Sequence, residues 1–178
     1  MAAKRLEYGA IAKIFHWAIV VLLLAQFPLG WLMPDIRRGM TPGLAMTVHI
    51  SIGFAILVLI VLRLFWRLTH PVAPEGSLPA WQRVSSEAVH WLLYALVLIA
   101  CATGWAFANM RGWPVSVFGL APLPQLFPAG DGIGRNIGRL HETMNWILLI
   151  LAGVHVLAAV VHLAVHRDGV MQRMLRRR

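Results

Sequence analysis

The chain has 178 residues, 59% hydrophobic and only 13% charged, with a formal net charge of +9. A water-soluble domain carries about 25% charged residues, so the composition excludes an ordinary soluble enzyme and points to lipid. One cysteine excludes an internal disulfide and a thiolate metal site, and the absence of a CxxCH motif excludes covalent c-type haem attachment.

In chain order, Lys4, Arg5 and Lys13 precede a first apolar run, Ile14 to Met33. It resembles a secretory signal only at first sight. It runs too long, lacks a small-residue cleavage site and places His16 and Trp17 where a signal is aliphatic, so a retained span with a kink at Pro28 is expected. Arg37 and Arg38 follow, then a second run from Leu44 to Leu62. Arg63, Arg67, a "THPVAP" turn holding His70 and then Arg83 lead to a third run, Ala88 to Met110, with Cys101 in its middle as a packing residue. The connection "RGWPVSVFGLAPLPQLFPAGDGIG" is dense in Pro and Gly and has no helical period, which predicts an ordered cap followed by a flexible glycine-rich stretch. A fourth run, Met144 to Val165, leads into a basic tail.

Each run meets the length of about 20 apolar residues that crosses a bilayer as a helix. No internal repeat or low-complexity tract interrupts them, so the expected fold is all-α, a transmembrane four-helix bundle forming a single domain over residues 1–178. Lys4, Arg5, Lys13, Arg63, Arg67, Arg83, Arg167, Arg173 and Arg176 to Arg178 fall at one end of such a bundle, against Arg37, Arg38, Arg111, Arg135 and Arg139 at the other. The asymmetry predicts that both termini are cytoplasmic. It also accounts for the basic charge without nucleic acid, the tail resting among anionic headgroups.

The histidines are the anomaly. Ionisable groups at membrane depth are costly and persist where they pair, line a cavity or bind something. On a helical wheel at about 100° per residue, His155, His162 and His166 fall near −40°, −60° and −20° from His141, one narrow stripe that must face the bundle interior. His141 and His155 are 14 residues apart, about 21 Å along the axis. His49 stands level with His141 near the outer end, His16 roughly level with His155 near the inner end, and His90 begins the third run.

The same interval separates His16 from Gly30, His90 from Gly104 and His49 from Arg63. Glycine on an inward face leaves room for a flat group, and Arg63 on the inner level suits a carboxylate. Two stacked planar cofactors bearing carboxylates satisfy the whole pattern, which describes two b-type haems. Zinc wants three or four ligands at one height, and these histidines spread across the membrane. Two axial imidazoles on a haem favour electron transfer over oxygen binding. His155 and His162 compete as the inner-level ligand: depth slightly favours His162, while the shorter spacing between cofactors favours His155, which is preferred.

The segments "FHW", "VHISIGFAILVLIVLRLFWRLTHPVAP", "RGWPVSVFGL" and "LHETMNWILLILAGVHVLAAVVHL" together resemble the bacterial cytochrome b561 family over nearly the whole chain. The resemblance implies a four-helix, di-haem b protein of the inner membrane. It implies His16 and His155 as ligands of the cytoplasmic-side iron and His49 and His141 as ligands of the periplasmic-side iron. It further implies electron transfer between the periplasmic face and ubiquinone, with superoxide as one described donor. Arg37, Arg38, Arg111, Arg135 and Arg139 exceed Asp35, Asp131 and Glu142 at the outer surface, a field that draws small anions, although arginines there equally serve haem propionates or lipid. His90 and His162 remain without iron and are the candidates for a ubiquinone site.

Two functions follow from the resemblance: a self-contained donor:quinone oxidoreductase, or a haem-bearing anchor that relays electrons for a separate periplasmic dehydrogenase. A transporter is disfavoured, because the span interiors hold no carboxylate and no inverted repeat with broken helices is visible.

Overall fold

A computed structural model describes residues 8–34, 40–73, 78–130 and 132–175. Four long helices dominate: α1 (Ala10–Leu32), α2 (Leu44–Thr69), α3 (Ala80–Met110) and α4 (Gly134–Val161). All four are long and apolar enough to cross a membrane. In lipid no water satisfies backbone N–H and C=O groups, so an apolar run of this length closes its hydrogen bonds within itself as a helix. The helices outrun the apolar windows. α3 starts at Ala80, where "AWQRVSSE" continues the helix, and α4 starts at Gly134, ahead of Met144. A helix needs lipid only over its apolar part, and its polar ends stay hydrogen-bonded in the headgroup layer.

The helix ends have local causes. Met33, extended before Pro34, terminates α1. Pro71 stops α2 after the His70 amide donates to the Trp66 carbonyl at 2.9 Å. α3 ends at Arg111 and Gly112, the latter at φ 72°. Pro28 lies within α1, which runs through it as a continuous helix. α4 widens into a π-helical turn, His162–His166, which closes on Arg167 in the left-handed region at φ 49°. A short helix, α5 (Gln172–Leu175), follows.

Backbones pack closely between α1 and α2, α2 and α3, and α3 and α4. α1 and α4 meet through long side chains, among them Trp31 and Trp146, whose rings stack at 6.1 Å. Close approach of α3 and α4 depends on Gly138, where a Cβ would lie 2.8 Å from the Phe107 ring. The core is a layer of Ile19, Ile56, Ile60, Leu96, Val97 and Leu148, with Leu23 and Cys101 packed against it. In sequence Leu23 lies midway between His16 and Gly30, Ile56 between His49 and Arg63, Val97 between His90 and Gly104, and Leu148 between His141 and His155. Each helix therefore carries a functional level, an apolar middle and a second functional level. Outward side chains such as Leu24, Leu32, Ile150 and Val156 are exposed, as lipid-facing surfaces are.

The α3–α4 connection forms a cap. A two-stranded antiparallel hairpin, β1 (Ser116–Val117) and β2 (Ala121–Pro122), departs from a purely helical fold. Its turn places Phe118 at φ 49° and Gly119 at φ 73°, with the Leu120 amide donating to the Val117 carbonyl at 3.0 Å. Trp113 and Val115 are buried against Met46 and Ala108, and Trp113 Nε1 donates to the Met40 carbonyl at 2.7 Å. Ser51, fully buried on α2, fastens the hairpin: its hydroxyl donates to the Thr47 carbonyl at 2.7 Å and accepts from the Phe118 amide at 2.8 Å. Ser51→Ala leaves that amide without its partner. It is expected to cost about 1–3 kcal/mol, read as a lower thermal midpoint in detergent, with earlier proteolysis of the cap than of the helices.

Candidate functional site

The bundle has two ends, one closed by the cap and one, the termini end, where the described residues begin at Tyr8 and finish at Leu175. At the termini end, Trp17 Nε1 donates to the Met174 carbonyl at 3.4 Å, and Arg67 and Arg173 both lie over the Tyr8 ring. Imidazoles gather at two levels between these ends.

At the cap-side level, the His49 and His141 rings are 6.3 Å apart between centroids and nearly perpendicular, at 84°. Gly30 and Gly104 stand at this level, as their spacing predicts. A Cβ on Gly104 would lie 2.9 Å from His141 Cε1, and one on Gly30 would lie 3.6 Å from His49 Cε1. The glycines thus make room first for the imidazoles. A cavity of about 1060 Å³ opens here, lined by His49, His141, Gly30, Gly104, Trp105 and Asn145 among others. That is slightly above the roughly 300–1,000 Å³ usual for cofactor sites. Its walls leave three buried polar atoms without hydrogen bonds: His49 Nδ1, Gln26 Oε1 and Trp105 Nε1. Buried polar groups normally have partners, so an unpaired set around a cavity marks where a bound group belongs.

At the termini-side level, His16 and His155 are 6.5 Å apart at 77°, and His90 approaches His155 at 5.3 Å. His90 is therefore part of this level and not at its rim. Arg63 reaches the same level, its Nη1 donating to the Ala12 carbonyl at 2.9 Å and its guanidinium 5.8 Å from the Tyr94 ring centre.

The separations of 6.3 and 6.5 Å carry chemical meaning. Two metal–imidazole bonds of about 2 Å each, plus the half-width of each ring, span such a gap. Among the described residues no three of His, Cys, Asp or Glu converge in a way that could hold a bare metal ion. Paired imidazoles suit an ion whose remaining positions are filled by a planar macrocycle, so His49, His141 and the cavity they line fit haem, and the His16–His155 separation suits the same group.

His162 lies in the π-helical turn, away from both pairs. Its Nδ1 is 2.6 Å from Asp168 Oδ2, and its ring is 5.2 Å from His166. Burial by itself raises the Asp168 carboxyl, but hydrogen bonds from His162 and the Val170 amide, with His162 and His166 nearby, hold it below the usual carboxylate range. The pair's contribution is in place above that usual range and is lost as pH falls through the depressed value. Sequence reasoning missed Asp168, which pairs with His162 only because the π turn and Arg167 fold the chain back. His70, given no role, stacks on Trp66 at 3.8 Å.

Arg111, Arg135, Arg139 and Glu142 line the cap-side cavity. Arg139 Nη2 also donates to Asn136 Oδ1 at 2.7 Å. Arg37, Arg38, Asp35 and Asp131, and the terminal Lys4, Arg5, Arg176, Arg177 and Arg178, lie outside the described residues.

Residues 7–177 match the family model for prokaryotic cytochrome b561. The chain is 29% identical over 173 residues to cytochrome b561 homolog 2 of Escherichia coli (strain K12), covering 95% of this chain and 91% of that protein. It is 28% identical over 174 residues to the probable superoxide oxidase CybB of Yersinia pestis, covering 95% and 96%. To cytochrome b562 of Cereibacter sphaeroides it is 28% identical over 176 residues, covering 96% of each.

Proposed function

The chain belongs to the prokaryotic cytochrome b561 family, which implies b-type haem and membrane electron transfer, and on that premise we propose that it binds two haems b and carries electrons from the periplasmic side to ubiquinone, with superoxide as donor. The observation that carries this reading is the pair of imidazole couples at metal-bridging separations on two levels of one bundle. His49 and His141 hold the cap-side iron; His16 and His155 hold the termini-side iron. His155 is favoured over His162 because it faces imidazoles of two other helices, whereas His162 is hydrogen-bonded to Asp168 and lies beside only His166 of its own turn.

Haem b, held there by these imidazoles, would supply one-electron transfer. The protein does the rest. Gly30 and Gly104 admit the rings at the cap side, and Arg63 offers its guanidinium to a propionate at the other level. The Lys and Arg bias puts the termini in the cytoplasm and the cap in the periplasm. Arg111, Arg135 and Arg139 then give the cap-side cavity a positive mouth that raises the local concentration of a small anion. Likeness to a probable superoxide oxidase supports that donor. Two superoxide anions each lose one electron to become O2, and one ubiquinone takes both electrons and two protons to become the quinol. His162 donates Nδ1–H to Asp168, and in its imidazolium form it also has Nε2–H to donate to a quinone carbonyl; His90, beside His155, is the second candidate.

The test is a reduced-minus-oxidised spectrum and haem count on the purified protein, followed by superoxide-driven ubiquinone reduction. Two low-spin b haems per chain are expected. His162→Ala is expected to retain both and to slow quinone reduction about 100-fold or more, His90→Ala less so. A colourless protein would sink the proposal. Co-purification of a stoichiometric soluble subunit, with no reaction toward superoxide, would assign the relay function instead.

A further inference from the structure

The α3–α4 connection is unusual in what it lacks. No residue between Arg111 and Asp131 is ionisable, whereas about one residue in four is charged in a segment that meets water. Both ends of the connection are tied to the last turn of α3: the Trp113 amide donates to the Ala108 carbonyl at 3.1 Å, and the Gly130 amide donates to the Met110 carbonyl at 3.0 Å.

The middle is tied much deeper. Trp113 and Val115 share a buried layer with Ala108 and Met46, which aligns the end of α3 with the start of α2. Ser51, whose hydroxyl accepts the Phe118 amide at 2.8 Å, lies further along α2 than Met46, about 7.5 Å toward the bundle centre. From Val115 to Phe118 an extended strand covers about 10 Å, so β1 runs inward along α2. Arg111, the first charged residue of α3 after Glu87, lies one turn outside Ala108. The hairpin turn therefore reaches about 12 Å below that charge. A headgroup layer is about 5–7 Å deep, so a turn at this depth meets acyl chains.

Its chemistry suits the depth. Phe118 and Leu120 are 57% and 88% exposed. Non-helical backbone persists beside lipid only where its polar groups are satisfied. Pro114, Pro122 and Pro124 have no N–H to satisfy. The amides of Phe118, Leu120 and Leu123 donate to Ser51 Oγ and to the Val117 and Val115 carbonyls.

We propose that the hairpin is a re-entrant membrane anchor, whose Phe118–Leu120 turn enters the cap-side leaflet and packs among acyl chains. Its other side, with Trp113, Val115 and Leu123, lines the cap-side cavity. One layer of hairpin thus separates that cavity from lipid, and the partner of this surface is the bilayer. The anchor stands independently of haem binding.

Spin-label accessibility on the full-length holoprotein in phosphatidylcholine vesicles tests this. A nitroxide is placed at Leu120→Cys, with Leu24→Cys on the exposed face of α1 as the lipid reference. Cys101, half-buried in the bundle, is the native cysteine, and wild type gives the labelling blank. The label at position 120 is expected to collide more often with oxygen, which concentrates in acyl chains, than with a water-soluble nickel chelate, as at position 24. Chelate collisions exceeding oxygen collisions would put the turn in water and overturn the anchor, leaving the surface to a soluble protein. Low accessibility to both reagents would place it against protein, such as a second copy, and would overturn it equally.

Discussion

Replacing His155 with alanine is expected to remove one b-type signal from the reduced-minus-oxidised spectrum and to lower superoxide-driven quinone reduction by about 100-fold or more. Changes to groups that merely support a metal ligand cost about 10–100-fold, and loss of the ligand itself exceeds that. His155 stands at the centre of the termini-side level, 6.5 Å from His16 and 5.3 Å from His90, so truncation there unpairs both neighbours. The comparison with His162→Ala is decisive. If His162 were the ligand, its alanine variant would lose the signal and His155→Ala would keep it. Retention of both signals in His155→Ala would remove the basis of the assignment, whatever the activity.

The second large effect is expected from His141→Ala. It deletes one imidazole of the cap-side pair, abandons the bond to Ala100 and enlarges a cavity that is already about 1060 Å³. The cap-side haem should be lost and superoxide should no longer reduce quinone, again by about 100-fold or more. The termini-side haem should persist and still be reduced by dithionite, because Leu148 and the core layer that separate the levels are untouched. His49→Ala should reproduce this spectrum. Loss of both signals in either variant would mean that the two levels do not bind independently.

Much of this was legible in the sequence because α-helices in lipid are regular. Four apolar runs gave four spans, and a period near 100° per residue put His141 and His155 on one face without any knowledge of packing. The level-by-level pairing followed from counting along the chain. What escaped depends on contacts between helices or on breaks in regularity. The closeness of His90 to His155 is set by how α3 and α4 dock. The π turn at His162–His166 interrupts the very period used to read the stripe, and Asp168 became a partner only through that turn. The hairpin at Ser116–Val117 and Ala121–Pro122 lay hidden in a Pro- and Gly-rich segment, its strands too short to show alternation. The inward glycines pointed to free space, whereas the nearest atoms to a side chain at Gly104 belong to an imidazole.

The apolar middle formed by Leu23, Ile56, Val97 and Leu148 has a consequence for bioenergetics. These four side chains carry no carboxylate, hydroxyl or imidazole, so the layer they form provides no proton relay of its own between the two levels. On the proposed di-haem reading each transit would be electrogenic: one uncompensated charge would be displaced through the low-dielectric slab, working with or against the membrane voltage by up to about 2.3 kcal/mol per 100 mV for a full crossing. With the cap outside, that displacement carries negative charge inward. Turnover would then charge the membrane in the same sense as respiration does.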